Sequence, residues 1–478
     1  DGIDLLQPRF SADLAIDDVS SLNFSMGRYM GRNPMVWVSN SYNYGANPLF
    51  NERTDRNCSG LAVQGSLDPC VVASFDNFDA SEIMGDMDFI APDLEAPFDD
   101  RYSLVYKTLV DMTPIGLGPN WDLTASYIRI NKRKEFVTRK ISGVGAPNGF
   151  YPGTPSERYP DGKVVHQDSG YYGGIYPNNY VFGLYTQGAG SKAENITLEL
   201  AKYFDNDIDL YFAYNGNDAT ELSPLTSSRA ASNTPNNVWT GNQFNYPVSK
   251  RSIYETEHKF VLSLIINRNH FANLNTSYGF TFTRKSGNPY SWTFDAGRSE
   301  PWDGYRNNSF GLEYDLNRRN SGLLYIPTAD DPNVCYGSCE NPDDAFKAQF
   351  LDVIAALGLS DYAGSVVPAG THTHNWVTTS TFQIRQELPG LYEGHSGEIY
   401  FTMNNFLNFL NDEWGRVDYG MYNGIRPLVR FTTTDDLSKY IYTGFSSDSF
   451  DPDNPDGAWR TSGYQSVWRA RIGFKYRF

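Results

Sequence analysis

Hydrophobic and polar residues alternate along much of the chain with the two-residue period of strands set between two unlike environments. In the last segment Trp468, Ala470, Ile472, Phe474, Tyr476 and Phe478 share one face, all apolar or aromatic, while Val467, Arg469, Arg471, Gly473, Lys475 and Arg477 share the other. Packing both faces into a dry interior would strip water from four cations, at several kcal/mol each. Lipid against one face and a wet lumen against the other suits both better than the edge of a soluble sheet does. Segments 196–204 and 207–214 repeat the pattern, with Ile196, Leu198 and Leu200 set toward lipid and Glu199 toward the lumen. From Phe271 onward, Ala272, Leu274, Thr276, Tyr278, Phe280 and Phe282 form an apolar face opposite Asn273, Asn275, Ser277, Thr281 and Thr283.

Alternation bounded by turn residues predicts eleven strands, over 9–17, 20–30, 101–109, 121–131, 193–204, 207–217, 257–268, 271–285, 375–388, 396–407 and 464–478. Short connections (Asp18-Val19, 110–120, Asp205-Asn206, Asn269-His270, 389–395) alternate strictly with long ones (31–100, 132–192, 218–256, 286–374, 408–463). Tight turns at one end and long loops at the other are the asymmetry of an outer-membrane barrel, with periplasmic turns and extracellular loops. The expected fold is therefore all-β, a transmembrane antiparallel β-barrel in the outer membrane of a Gram-negative bacterium, its C-terminus periplasmic. An odd count places Asp1 on the outer side, whereas a complete bacterial barrel has an even count, and an open sheet in lipid leaves two costly edges. The expectation is a C-terminal barrel part closed by something else.

Composition narrows the class further. Hydrophobic residues make up 40%, and 33 Tyr and 30 Phe favour strands. No run approaches the roughly 18 apolar residues of a membrane helix. The start, Asp1-Gly2-Ile3-Asp4, lacks a basic region leading into an apolar stretch, so any signal peptide is removed or lies in sequence not shown. A net charge of −17, crowded into the long connections, excludes nucleic acid as a partner. The cysteines form two close pairs, Cys58 with Cys70 and Cys335 with Cys339, which read as local disulfides in an oxidising compartment. Half a metal site is the alternative for Cys335 and Cys339, although no His lies near them in sequence.

Candidate chemistry is sparse. Phe346, Phe350, Ile354 and Leu357 recur at helical spacing after Pro342, with Asp343 and Asp344 in the first turn, so 343–359 is expected to form a short helix in an external loop. Such a helix either folds that loop back on itself or touches a ligand. Asp451, Asp453 and Asp456 crowd oxygens in the manner of a calcium loop, which needs about six to eight of them. Pro455 stands where a calcium loop of the EF-hand type wants an acid or Asn, so a solvated acidic turn is the alternative. His372 and His374 would point their rings to one side of a strand, half a metal site by themselves. No hydrolase or phosphate-loop motif occurs, so the chain is not expected to be an enzyme.

Particular segments resemble the Oar-like branch of the TonB-dependent outer-membrane receptors. They are Glu257-His258-Lys259-Phe260-Val261, Arg284-Lys285-Ser286-Gly287-Asn288-Pro289-Tyr290-Ser291 and Leu323-Leu324-Tyr325-Ile326-Pro327. In the same order and spacing follow Gln386-Glu387-Leu388-Pro389-Gly390, then 404–416 (NNFLNFLNDEWGR), then the final strand. The likeness covers the last half of the chain well and the first half mainly in hairpin layout. Within the final strand, Arg471-x-Gly473-x-x-Tyr476-x-Phe478 resembles the C-terminal signal read by the barrel-assembly machinery. The resemblance implies a barrel of about 22 strands with a plug, of which these eleven would be the C-terminal half. It implies a structural role for His258. Its implied partners are the bilayer and lipopolysaccharide, the barrel-assembly machinery, and the TonB complex acting through an upstream part; the large loops point to a bulky ligand such as a peptide, a surface protein or a glycan. The expected function is transport of a bulky substrate across the outer membrane; the alternatives are an adhesion or surface-complex scaffold and a protein-export channel.

Overall fold

The computed structural model describes residues 5–31, 87–140, 158–163, 181–188, 190–230, 233, 237–241, 245–295, 322–419, 424–434, 436–446, 450–454 and 460–478. The fold is all-β and antiparallel, a barrel-type meander. Its eleven strands are β1 Arg9–Ala15, β2 Ser21–Met30, β3 Phe98–Met112, β4 Gly118–Lys140, β5 Lys192–Phe204 and β6 Ile208–Glu221, then β7 His258–Phe271, β8 Leu274–Lys285, β9 Val377–Pro389, β10 Ser396–Asn404 and β11 Arg469–Arg477. Each pairs with the next in chain order, so every strand read from the alternation is present. Among the described residues, no helix is long and apolar enough to cross a membrane.

Strand ends shift by a few residues throughout, the last strand starting at Arg469 rather than 464, and two of the shifts change a connection. The turn expected at Asn269-His270 falls at Ala272-Asn273, whose φ angles of 51° and 56° make the two-residue hairpin turn that matches strand twist. The polar pair instead continues β7 through a register shift between Asn269 and Phe271. Strand β4 runs on from 131 to Lys140, where it pairs with Val181–Gly188, so the connection 132–192 begins as a hairpin extension. The turn before β2 forms as read, because the Asp17 carboxylate accepts the Val19 and Ser20 amides at 2.9 and 2.7 Å.

Register carries the two-faced pattern across the whole sheet. On one side Phe10 lies opposite Met26, Phe24 opposite Leu104, Leu104 opposite Tyr127 and Tyr127 opposite Ile196. The same face continues through Leu198 and Tyr214, Leu264 and Phe280, Phe280 and Phe382, Ile384 and Phe401, and Phe401 and Ile472. On the opposite side Thr197 pairs with Asn215, Ser263 with Thr281, Gln383 with Thr402 and Thr402 with Arg471. Among the described residues most of the apolar face is uncovered: Ile472 is 75% exposed, Phe474 63% and Ile196 51%, while the short helix Phe406–Leu410 sets Phe406 against Phe280 and Phe382. In water each such side chain forgoes about 1.5–3 kcal/mol of burial.

The core that the chain does bury lies in its long connections. Segments from 286–374 and 408–463, expected as separate loops, share one five-stranded sheet. Its order is Val334–Tyr336, Tyr440–Phe445, Ile425–Thr433, Pro289–Asp295 and His372–Thr373. Trp239, Trp292, Phe294, Leu324, Tyr440 and Tyr442 pack at its centre, and Tyr159 from the connection after β4 stacks on Tyr440 at 6.3 Å. Helix α1, Asp344–Ala356, is capped by the Asp343 carboxylate, which accepts the Phe346 amide at 2.9 Å. Its Phe350, Val353 and Ile354 are buried in this core, so of the two readings of that helix the structure realises the loop folded back on itself. Cys335 and Cys339 are joined by a disulfide beside it, which leaves no half metal site there. Cys58 and Cys70 lie outside the described residues.

Candidate functional site

Where this loop module meets the strand ends of β7 to β11, a cavity of about 740 Å³ opens on the polar face of the sheet. The strands contribute Lys259, Thr283, Lys285, Thr379, Thr381 and Arg469, and the module closes over them with Asn288, Pro289, His374, Asp418 and Gly424. Lys259 and Lys285 are register partners. Like charges set opposite each other oppose strand pairing, and among the described residues neither ammonium has a carboxylate partner. Arg469 lies 3.5 Å over the Tyr464 ring and donates to the Tyr464 carbonyl at 2.6 Å, while its Nε is buried with no hydrogen-bond partner among the described residues. Asn405 Oδ1, also in the lining, is buried and unpartnered, although its Nδ2 donates to the Gly415 carbonyl at 2.9 Å.

The one carboxylate in the lining is occupied: Asp418 accepts from Asn375 Nδ2 at 2.9 Å and from Thr461 Oγ1 at 2.7 Å. His374 is neutral at physiological pH, because burial, and then the nearby Arg426 cation, lower its pKa to about 4. Among the described residues the cavity wall therefore carries three cations against one anion, in a chain whose net charge is −17.

Close backbone approach holds the roof in place. A Cβ at Gly287 would stand 2.1 Å from the His374 carbonyl oxygen, so only glycine lets these two segments pass. Behind the cavity wall, the connection 218–256 is tied to the rim by a buried polar knot. Lys250 Nζ donates to the Leu222 carbonyl at 2.9 Å and to Asn237 Oδ1 at 2.5 Å, while Glu221 accepts from Ser252 Oγ at 2.9 Å and the Ile253 amide at 3.1 Å. Burial pushes the Lys250 pKa down to about 8.

The residues singled out in the sequence are dispersed. His372 and His374 do turn to one side, each against the Tyr290 ring, but they are not half a metal site. Trp292 Nε1 donates to His372 Nδ1 at 2.9 Å and His372 Nε2 reaches the Leu357 carbonyl at 3.0 Å, which uses both ring nitrogens and fixes a neutral tautomer. Among the described residues no group of three His, Cys, Asp or Glu side chains is placed to hold a metal. Asp451 accepts the Asp453 amide at 3.0 Å in a local turn, and Asp456 lies outside the described residues. His258 Nδ1 shares a 3.0 Å hydrogen bond with Tyr214 Oη, and its ring stacks on Trp376 at the loop end of the apolar face.

In the final strand Arg471 sits on the polar face opposite Thr402, and Gly473 opposite Tyr400. Tyr476 Oη accepts the Leu391 amide at 3.0 Å and pairs with His395 Nδ1 at 2.9 Å, fastening the strand to the preceding turn. Phe478 is 96% exposed. Sequence reasoning missed Lys259, Lys285 and Arg469 as a set. The available signal was that all three fall on the polar face at the loop ends of their strands.

No family model and no curated protein matches the chain. Among solved structures it is similar to the outer membrane transporter YddB from Escherichia coli, with 11% identity and a TM-score of 0.44, over 98% of this chain and 40% of that one. The chain thus spans 40% of the length of that transporter.

Proposed function

We propose that the chain is the C-terminal part of an outer-membrane barrel of the TonB-dependent receptor kind, capturing a bulky ligand at its outer mouth for passage across the membrane. The observation that carries this reading is the apolar face that runs through all eleven strands and, among the described residues, is left largely open, with the short helix Phe406–Leu410 against it at one place through Phe406. Lipid is the environment that rewards such a face while leaving the opposite one wet. In lipid the free edges of β1 and β11 need further strands against them, because unpaired backbone groups cost several kcal/mol each there. The loop module then stands outside the membrane, over the lumen, with the cationic cavity beneath it. Coupling to TonB, insertion by the barrel-assembly machinery through Arg471, Gly473, Tyr476 and Phe478, and contact with lipopolysaccharide belong to the same proposal.

A second reading is favoured by one observation, the compact core of the loop module. A module that holds its own shape serves equally well to dock a surface protein, with the barrel as its anchor. Uptake by cells carrying the complete gene, compared with cells in which segments 286–374 and 408–463 are replaced by short turns, separates the two. Loss of ligand uptake supports the receptor. Unchanged uptake, with loss of a stoichiometric surface protein, overturns it in favour of the scaffold.

A further inference from the structure

We propose that the cavity beneath the loop module binds an acidic carbohydrate, whose carboxylate or phosphate lies between Lys259, Lys285 and Arg469. This deepens the receptor reading and rests on it.

Three observations converge on that class. First, Lys259 and Lys285 face each other across neighbouring strands with no described carboxylate between them, and Asp418, the lining's one acid, is held by Asn375 and Thr461. An anion between the two ammonium groups turns a repulsive register pair into a clamp. Second, Arg469 joins them in the lining, donating to the Tyr464 carbonyl at 2.6 Å, and among the described residues no carboxylate neutralises it. Three cations on one wall call for an anionic group on the ligand, which a guanidinium and two ammonium groups bind by charge-assisted hydrogen bonds. Third, the remaining polar lining is hydroxyl and amide, from Thr283, Thr379, Thr381, Asn288 and Gln465. Such groups both donate and accept, as sugar hydroxyls do. The volume of about 740 Å³ falls in the range of small-ligand pockets.

The test is calorimetric titration of the complete gene product in detergent micelles at low salt, with trigalacturonate, its methyl ester, a trisaccharide phosphate and a triglutamate peptide as probes. The acidic sugars are expected to bind, and the neutral ester to bind about tenfold or more weakly. A Lys259→Gln, Lys285→Gln protein should lose the same factor, while Lys259→Arg with Lys285→Arg retains binding and shows that the fold is intact. The relative affinity of galacturonate and sugar phosphate identifies the anionic group. Equal binding of the ester, tighter binding of triglutamate, or no binding by either acidic sugar overturns the proposal. Uptake by cells that carry the complete gene and an intact TonB system is scored separately: binding without uptake overturns the receptor reading and leaves the ligand class standing, and uptake of another ligand with no acidic-sugar binding does the reverse.

Discussion

The ring of Tyr400 on β10 lies across the backbone of Gly473, its register partner on β11, so that a Cβ at 473 would stand 2.2 Å from Tyr400 Cζ. The ring covers the pleat that glycine leaves bare, and the glycine leaves room for the ring. Gly473→Ala should cost about 1–2 kcal/mol in urea unfolding from lipid vesicles. The same substitution in a Tyr400→Ala background should cost close to nothing. Additive losses in that cycle would show that the two residues act independently.

The buried ammonium of Lys250 makes the module's stability depend on pH. Its folded pKa is about 8, lowered by burial, against an unfolded value near 10.4. At lower pH both states carry the charge, and the module bears the full desolvation cost. Above pH 8 the folded state releases its proton first, so the unfolded chain binds more protons and stability rises with pH, by about 2 kcal/mol up to about pH 9.5. Burial raises the Tyr440 and Tyr442 phenols well above their ordinary value. Beyond about pH 10 the unfolded tyrosines ionise first and stability falls. The thermal midpoint followed by tryptophan emission should climb and then drop, and Lys250→Met should abolish the climb while keeping the drop. A midpoint flat between pH 8 and about 9.5 in the parent protein contradicts the assignment.

The Cys335–Cys339 disulfide closes a loop with a sequence separation of 4. Closure of so short a loop contributes about 2 kcal/mol on the chain-entropy account. Replacing both cysteines by serine should lower the module's stability by that amount and leave the meander intact. The check is differential hydrogen exchange, faster in 334–356 and unchanged in β5 to β8. Uniformly faster exchange would mean that module and sheet unfold as one.

His372 bridges Trp292 and the Leu357 carbonyl. His372→Phe keeps the ring but strands a buried indole N–H and a carbonyl, which should cost about 2–4 kcal/mol. Zinc should leave the thermal midpoint of the parent protein unchanged. A zinc-dependent rise, lost in His372→Phe, would restore the metal reading.

The strands were legible because their physics is local: each alternates for its own length, and register repeats that alternation with its neighbours. The turn at Ala272-Asn273 was not legible, because Asn269-His270 offers an equally polar pair and only cross-strand pairing chooses between them. The loop module escaped for a related reason. Its sheet joins Pro289–Asp295 in parallel to Ile425–Thr433, segments more than a hundred residues apart whose runs carry no period of their own. The cationic cavity follows the same logic. Lys259, Lys285 and Arg469 each read as an ordinary lumenal residue, and only their convergence under Asn288 and His374 makes them a set.

The central claim is that one face of the meander meets lipid and the other water. Single cysteines at Ile196, Phe280 and Ile472, and at their neighbours Thr197, Thr281 and Arg471, carrying spin labels in the complete protein in lipid vesicles, test it directly. Collision with oxygen, which concentrates in the bilayer, should be high at the first three and low at the second, and collision with a water-soluble nickel complex should show the reverse. Equal nickel access at Ile196, Phe280 and Ile472 would contradict the account.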